Sequence, residues 1–558
     1  MVLLAGVLAT FTARAVEPPS SVDQNASIEQ GRRIYQEGLL PGAIPLQATR
    51  PEGLVLRGKN AACAACHRRS GMGSFESTVF VPPIAGDLLF SRTRFDPSYR
   101  NPARFEGSFL DSRFYFRPDA WVRALTRTAY DADSLARVLR TGIDPDGKPL
   151  VAPMPRFALD DAALTALTAY LQQLSSTTPP GIDADTLHLA TVIAPDLPAG
   201  RAESVVGVVQ RWVASSRHLG EHWDLQIWRL SGSPDTWRAQ LDDYYRRQPV
   251  FALLSGAGAD VWQPVHRFCE ARQVPCVLPS LDVAPVEEGG YYSVYFSPGV
   301  TLEARILAEH LLDHAHSPAF KRVVQVYADG AGRAAAAALA SRLSAGGLPV
   351  VSRGYRVSAP LSALNDLGDE DALVLWLRPD QLGAILAVTP ARIGAGHLYL
   401  SALLAPPEAL RVQPAWRSRV SWISLFDDLD VQTEIARLRL KAWLEKAGLR
   451  TEGDTLRPQA DAFAACYLLY RALQEIRAEE VWRPQVPLGR EHVLEELETV
   501  VSKNDDGTAI VDPNSRVAFY GRMSLAADQR VAVRGGSLLG FADANGDRLV
   551  AQGARIVP

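Results

Sequence analysis

The stretch VVQVYADGAGRAAAAALASRLSAGGLPVV, residues 323–351, combines two patterns that together indicate one type of fold. A short apolar run at each end predicts a buried strand, and the alanine-rich segment between them predicts a helix. The alternation recurs from residue 186 onward, with strand-like runs at 187–195, 224–230, 250–256, 275–280 and 372–378 and helical patterns at 204–216, 237–247, 259–273 and 301–312. The regular alternation of strands and helices predicts parallel sheets covered by helices on both faces. The chain from residue 186 to its end is long enough for two such sheets, each forming one lobe.

The chain divides near residue 180. At 558 residues it is too long for one hydrophobic core. The polar, proline-bearing segment SSTTPPGIDAD has no periodicity and predicts a linker over 176–185, between domains at 16–175 and 186–558. A formal net charge of −4 without a long basic block argues against a nucleic-acid partner. After the first 15 residues, no apolar run reaches the ~18 residues that a transmembrane helix requires.

The N-terminal residues resemble an export signal. An apolar run from Val2 to Phe11 is followed by Ala13-Arg14-Ala15, the small-residue pattern of a cleavage site. The basic segment that normally precedes the apolar run is missing, so the alternatives are a truncated signal peptide over 1–15 and a short buried segment. We favour the signal peptide, which predicts a mature protein in the periplasm.

The segment AACAACHRRSGMG, residues 61–73, places Cys63 and Cys66 directly before His67. A redox dithiol of this spacing belongs after a strand in a βαβ pattern, which is absent here. A zinc site needs further ligands, but no third cysteine lies nearby, and His67 is the only histidine between residues 16 and 187. The pattern therefore predicts one covalent haem c, with thioether bonds from the two cysteines and His67 as an axial iron ligand.

The methionines restrict the choice of the sixth iron ligand. The chain has four, of which Met1 is the initiator and Met523 lies in the other domain. Met72 follows His67 too closely to reach the opposite face of the haem. Met154 has a proline on either side, which suits a rigid extended loop, so we predict Met154 as the second axial ligand.

Two helices are predicted around this motif. Ser27 to Gln30 fit a capping box that opens a helix over 27–38. A second helix is predicted with Asp160 as its N-cap and with leucines at helical spacing at 164, 167, 171 and 174.

These features resemble class I cytochrome c over residues 27–175. The resemblance implies an all-α fold in which the N-terminal helix packs on the C-terminal helix, with Gly31 against Tyr170. It also implies that Pro82 or Pro83 accepts a hydrogen bond from the axial imidazole, with the choice between the two prolines left open.

Residues 186–540 resemble the type I periplasmic binding proteins of the branched-chain amino-acid receptor group. The resemblance rests on the strand-helix-strand segment 323–351 and on DAFAACYLLYRALQEI, residues 461–476, which is similar to a late helix that returns to the first lobe. It implies a two-lobed α/β fold with a ligand cleft. The candidate ligand-binding residues that it implies are Ser255, Gly256, Gly258, Ser280, Asp329 and Trp376. Residues 256–259 read Gly-Ala-Gly-Ala and supply no hydroxyl group, which argues against an amino-acid ligand.

Two functions of different classes remain open. We favour a periplasmic electron carrier, whose fused domain recognises a solute or a redox partner. By association, the partner is a quinoprotein alcohol dehydrogenase, a terminal oxidase or another cytochrome. The alternative is a solute receptor for an amino acid or small carboxylate, with haem as a sensor or accessory. The sequence contains no Ser/His/Asp or paired-carboxylate arrangement, which predicts no catalytic activity of its own.

The other cysteines leave one question open. Cys269 and Cys276 flank a predicted helix-to-strand turn, where either a small-loop disulfide or two thiols would fit. Cys466 lies on an apolar helical pattern and is predicted to be a buried thiol.

Overall fold

The chain forms two compact units in the computed structural model: unit 1 comprises residues 1–177 and 480–487, and unit 2 comprises residues 178–479 and 488–558. The first boundary falls inside the segment predicted as a linker, whereas the return of 480–487 to unit 1 was not expected. The structure describes residues 21–76, 79–91, 127–150, 153–183, 186–198, 200–215, 222–313, 320–427, 431–451, 455–480, 486–503, 519–520, 523–543 and 546–558. The predicted signal peptide, 1–15, lies outside them.

The helices of unit 1 pack through a glycine contact. Its described helices are α1 (Ser21–Glu37), α2 (Ala64–His67), α3 (Gly86–Leu89), α4 (Ala132–Thr141) and α5 (Asp161–Gln173). A Cβ atom on Gly31 of α1 would lie 2.1 Å from the Ala166 carbonyl oxygen and 2.7 Å from Cβ of Tyr170, so only glycine allows this approach to α5. Asp160 caps α5 by accepting from the Ala163 amide at 2.7 Å, as predicted.

The prediction of an all-α fold for unit 1 is wrong for its described part, which also contains short strands. These are β1 (Leu39–Leu40), β2 (Ile44–Pro45), β3 (Gln47–Thr49), β4 (Val55–Arg57), β5 (Ser74–Glu76), β6 (Val79–Val81) and β7 (Arg156–Phe157). β3 pairs antiparallel with β4 and β7. The physical reason lies in the local sequence. In β3, the buried Ala48 lies between two exposed residues, which is the alternation of a half-buried strand, and Gly53, with φ of 91°, allows the chain to turn from β3 into β4.

The first lobe of unit 2 is a mostly parallel sheet around one long strand. Its strands are β8 (Ile182–Asp183), β9 (Thr186–Ile193), β10 (His222–Arg229), β11 (Ala252–Leu254), β12 (Ala257–Gly258), β13 (Cys276–Val277), β14 (Ser280–Leu281) and β15 (Ser293–Val294). The order is β14-β12-β9-β11-β13-β15, with β10 parallel and β8 antiparallel to β9. The helices between these strands are α6 (Arg201–Ser215), α7 (Trp237–Arg247) and α8 (Gln263–Arg272).

The second lobe has a second sheet of the same kind. Its strands are β16 (Arg322–Tyr327), β17 (Val350–Gly354), β18 (Asp371–Trp376), β19 (His397–Ser401), β20 (Val420–Ser424), β21 (Ser537–Phe541) and β22 (Leu549–Ala551). They are ordered β17-β16-β18-β19-β20-β21-β22, parallel up to β20 and antiparallel after it. Every residue of β18 is buried, as the near-continuous apolar sequence predicts for a strand covered on both faces.

The remaining helices complete unit 2. They are α9 (Val300–Leu312), α10 (Ala331–Ala345), α11 (Pro379–Leu386), α12 (Pro390–Ile393), α13 (Pro414–Arg417), α14 (Val431–Lys446), α15 (Leu456–Glu480) and α16 (Arg490–Lys503). α15 and α16 bond to the first lobe through Arg457 and Arg490, so the chain returns to that lobe as the sequence indicated. Among the described residues, no helix is both long and apolar enough to cross a membrane.

Arg490 joins several backbone segments of the first lobe. The guanidinium is buried and donates to the carbonyl oxygens of Val250 at 2.7 Å, Pro180 at 2.8 Å, Phe251 at 3.0 Å and Gln273 at 3.1 Å. Removing it leaves buried acceptors without partners, each of which costs about 1–3 kcal/mol.

Arg490→Ala is therefore expected to lower the free energy of unfolding of the full chain by more than about 3 kcal/mol, measured by denaturant titration. Arg246→Ala is the control, because Arg246 is exposed and pairs with the exposed Asp243 of its own helix; its loss should cost less than about 1 kcal/mol. Equal losses in the two variants would contradict the role assigned to Arg490.

Candidate functional site

One helical turn in unit 1 carries the two cysteines and the histidine of the motif. Cys63 directly precedes α2, and its carbonyl oxygen accepts from the amides of Cys66 at 3.2 Å and His67 at 2.9 Å. Cys63 is buried and Cys66 is partly exposed. Arg68 ends the turn with φ of 64°, and its carbonyl oxygen accepts from the Tyr35 hydroxyl at 2.8 Å. The backbone thus presents the three side chains from one rigid turn.

The imidazole of His67 has a defined tautomer. Its Nδ1 lies 2.9 Å from the carbonyl oxygen of Pro82, the first of the two prolines left open by the sequence. A carbonyl can only accept, so Nδ1 carries the proton and Nε2 keeps its lone pair. The ring is 6% exposed, and burial lowers the pKa of His67 despite the opposing bond to Pro82. A neutral, oriented imidazole with a lone pair on Nε2 is the form that binds a metal.

The two methionines of unit 1 lie in different hydrophobic clusters. Met154 is partly buried and packs against the cluster that contains Cys63 and Leu167. Its carbonyl oxygen accepts from Nη1 of Arg156 at 2.7 Å, which fixes the backbone of its loop. Met72 is buried in a separate small cluster with Ala85 and Leu88.

The described residues do not contain the cluster of ligands that a structural zinc ion requires. Across the described ranges, no group of three or more histidine, cysteine, aspartate or glutamate side chains could hold a metal ion. What unit 1 offers is a pair of thiols on one turn, one neutral imidazole and a thioether on the same hydrophobic cluster as Cys63. If a haem binds here, Cys63 and Cys66 would attach it, and His67 and Met154 would be available as ligands of its iron.

In unit 2, the space beside the predicted ligand-binding glycines is filled by a tryptophan. A Cβ atom would lie 3.2 Å from the ring of Trp262 at Gly256 and 2.8 Å from it at Gly258. The glycines therefore accommodate Trp262, which is 1% exposed, rather than an open approach to a ligand. Ser255 is fully buried, and its hydroxyl has no hydrogen-bond partner among the residues that the structure describes.

The other three predicted ligand-binding residues make contacts within the protein. The Ser280 hydroxyl donates to Asp461 at 2.7 Å, and the indole Nε1 of Trp376 donates to Gln325 at 3.0 Å. Asp329 is exposed and pairs with Arg333 on the next helical turn. Ser280, Trp376 and Asp329 therefore pair within the protein, and the ligand-binding role of these residues stays a prediction.

Three arginines share a buried carboxylate that was not predicted from the sequence. Asp282 follows β14 and is 1% exposed. Its oxygens accept from Nη1 of Arg201 at 2.8 Å, Nη1 of Arg457 at 2.9 Å and Nη2 of Arg378 at 2.9 Å. Burial alone would raise the pKa of Asp282, but the three guanidinium groups outweigh it and hold that pKa well below its usual range.

Two further carboxylates follow strands of the first lobe. Asp196 accepts from the backbone amides of Ala259, Asp260 and Val261 at 2.7 to 3.2 Å. Asp260 accepts from the amide of Ala331 at 2.8 Å. Asp196, Asp260 and Asp282 each lie one to three residues after a strand. Because the carboxyl ends of parallel strands share one edge of a sheet, this position could have predicted from the sequence that the three acids lie at that edge.

Glu303 is a buried acid on α9. It accepts from the Leu403 amide at 3.0 Å and from the Ser401 hydroxyl, but burial dominates and raises the pKa of Glu303 to about 8. The folded protein thus holds this proton where the unfolded chain has lost it, so stability falls as pH rises between the two pKa values.

Glu303→Gln removes this titration. Relative to wild type, the variant is expected to gain stability as pH rises from about 5 to about 9, by at most about 1.4 kcal/mol per pH unit. Denaturant midpoints across that range measure the difference, with Glu309→Gln, at a partly exposed position of the same helix, as control. Parallel pH profiles for Glu303→Gln and wild type would contradict the assignment.

Cys269 and Cys276 are both fully buried and are free thiols in the structure. Burial, followed by a hydrogen bond with Cys276, raises the pKa of Cys269. Cys466 is a buried thiol on α15, as predicted.

Comparison with solved structures defines the fold of unit 2. A fatty acid ABC transporter substrate-binding protein from Thermomonospora curvata matches with 14% identity over 69% of this chain and 95% of that chain, at a TM-score of 0.50. A leucine-binding protein from Thermotoga maritima matches with 15% identity over 67% and 99%, at 0.47. A branched-chain amino acid transporter substrate-binding protein from Streptococcus pneumoniae, solved with isoleucine, matches with 14% identity over 67% and 100%, at 0.46.

No protein-family model and no curated protein sequence matches the chain. The first structural match covers 69% of the chain, which is close to the fraction of the chain that forms unit 2. Unit 2 therefore has the two-lobed α/β fold of the type I periplasmic binding proteins.

Proposed function

We propose that unit 1 is a c-type cytochrome domain and that the chain carries single electrons on one covalent haem. The observation that carries this proposal is the buried His67, whose Nδ1 bonds to the Pro82 carbonyl directly after the two-cysteine turn. Cys63 and Cys66 would form the thioether bonds, and His67 and Met154 would be the axial ligands.

In this proposal the haem supplies one-electron chemistry between ferric and ferrous iron, and the protein controls the environment of that iron. Pro82 fixes the imidazole tautomer, and the hydrophobic cluster around Cys63 keeps water away from the site. Met154 offers a soft, neutral sulfur, which favours the reduced form. The protein itself is proposed to be a carrier rather than an enzyme, and a redox partner such as a quinoprotein alcohol dehydrogenase, a terminal oxidase or another cytochrome would exchange electrons with it.

Protein-film voltammetry of the full-length protein tests this function. One reversible one-electron couple is expected, at a higher potential than that of a haem with two histidine ligands. A protein purified from a host that attaches haem c but showing no such couple would overturn the proposal.

The second candidate is a periplasmic solute receptor with haem as an accessory, and the fold of unit 2 favours it. The structural matches support this interpretation more directly than electron transfer, because they are all substrate-binding proteins and concern unit 2. Their names mention fatty acids, leucine and branched-chain amino acids, which makes these the first solutes to test. Both candidates place the protein in the periplasm.

We expect leucine, valine and isoleucine to change the thermal unfolding of the full chain by less than about 1 °C, because Gly256 to Ala259 supply no hydroxyl and Trp262 fills the adjacent space. A thermal-shift series with these amino acids, short carboxylates and fatty acids measures this. A clear shift with leucine or valine would place the receptor function first.

A further inference from the structure

The two lobes of unit 2 meet at the carboxyl ends of their strands. In folds of this type, that edge is where ligands bind, in a crevice outside the strand ends. The first lobe contributes Asp260 after β12 and Asp282 after β14, and the second contributes Ala331 at the start of α10 and Arg378 after β18. Two contacts join these groups across the crevice.

The first contact is an ion pair between the lobes. Nη2 of Arg378 lies 2.9 Å from Oδ2 of Asp282. Arg201 and Arg457, both on helices that pack on the first lobe, hold the same carboxylate in place. Because Asp282 is 1% exposed, its charge interacts in a poorly solvated setting and the pair is screened less than one at the surface.

The second contact places a carboxylate at a helix N-terminus. Oδ1 of Asp260 accepts from the Ala331 amide at 2.8 Å, at the start of the 15-residue helix α10. A Cβ atom on Gly330 would lie 2.2 Å from the Asp260 carboxyl group, so the two lobes are in direct contact here. The unpaired amides and the dipole of a helix N-terminus attract a negative charge, and Asp260 provides one from the opposite lobe.

We propose that these two contacts form an intramolecular latch that holds the lobes closed without a solute. Closure of a two-lobed protein normally needs a ligand that binds the closed form better than the open one. Here the chain supplies both interactions itself: the Asp260 carboxylate on α10 and the Arg378–Asp282 pair. The closed form is then the resting state of unit 2, and a solute entering the crevice has to compete with these two contacts. This inference rests on the fold of unit 2 and is independent of the haem proposal.

Hydrogen exchange of the full chain, with no added solute, tests the latch. Arg378→Gln breaks the pair with Asp282 and does not touch the Ala331 amide directly. If the lobes open, Ala331 loses Asp260, and peptides covering the start of α10 should exchange at least about tenfold faster than in wild type. Arg342→Gln is the matched control, because Arg342 pairs with Glu309 in the same lobe; its effect at the start of α10 should be absent.

Asp260→Asn gives the reciprocal test. It weakens the second contact, and exchange should rise in the loop that follows β18, where Arg378 pairs with Asp282. Unchanged circular dichroism would show that the variants fold. The latch is contradicted if the start of α10 exchanges as fast in wild type as in Arg378→Gln. It is also contradicted if exchange is unchanged in both variants.

Discussion

Replacing Cys63 and Cys66 together by alanine is expected to abolish haem staining of the denatured protein, whereas the wild-type band stains at full length. The reason is chemical: covalent attachment requires a sulfur at each position, and both thiols lie on the turn that ends in His67. The single variant Cys63→Ala should weaken the stain, since one thioether bond can remain.

Cys466→Ala is the control for the loss of a cysteine. Cys466 is a buried thiol on α15, far along the chain from the motif, and its removal should leave the stain unchanged. The claim fails if acidified organic solvent extracts the haem from the wild-type protein, because a covalently bound haem stays with the polypeptide.

The second large effect is expected at Met154. Met154→Ala should remove the weak long-wavelength charge-transfer band of methionine-ligated ferric haem and lower the reduction potential, because it deletes the soft sixth ligand. Visible spectra and voltammetry of the purified variant measure both changes.

Met72→Ala is the matched control, since Met72 packs in a separate cluster with Ala85 and Leu88. It should keep the band and a potential close to that of wild type. Loss of the band in Met72→Ala and its retention in Met154→Ala would reverse the assignment of the axial ligand.

The parts of the fold that the sequence predicted depend on local patterns. In unit 2, buried parallel strands have near-continuous apolar runs, as in β18. These runs and their spacing along the chain were sufficient to predict the two parallel sheets. In unit 1, the N-cap at Asp160 follows from a short local signal, a capping residue, whereas the packing of Gly31 against Tyr170 was implied by the resemblance to class I cytochrome c. The strands of unit 1 were missed because two or three residues are too short for periodicity to show.

The cleft could not be predicted because its contacts depend on how the chain folds. Gly256 and Gly258 suggested room for a ligand, but Trp262, a few residues further along the chain, fills that room. Nothing local indicates that Asp282 will meet Arg378, 96 residues later. Sequence patterns identify candidate polar groups at strand ends, whereas the fold decides which of them pair with each other.

Electron transfer by this protein depends first on Cys63 and Cys66 carrying a porphyrin. The mass of the intact, denatured protein, isolated from a host that attaches haem c, tests it most directly. We predict the polypeptide mass plus one haem, with the added mass located on the peptide that contains Cys63 and Cys66. A polypeptide of unmodified mass with two free thiols at these positions would contradict the account.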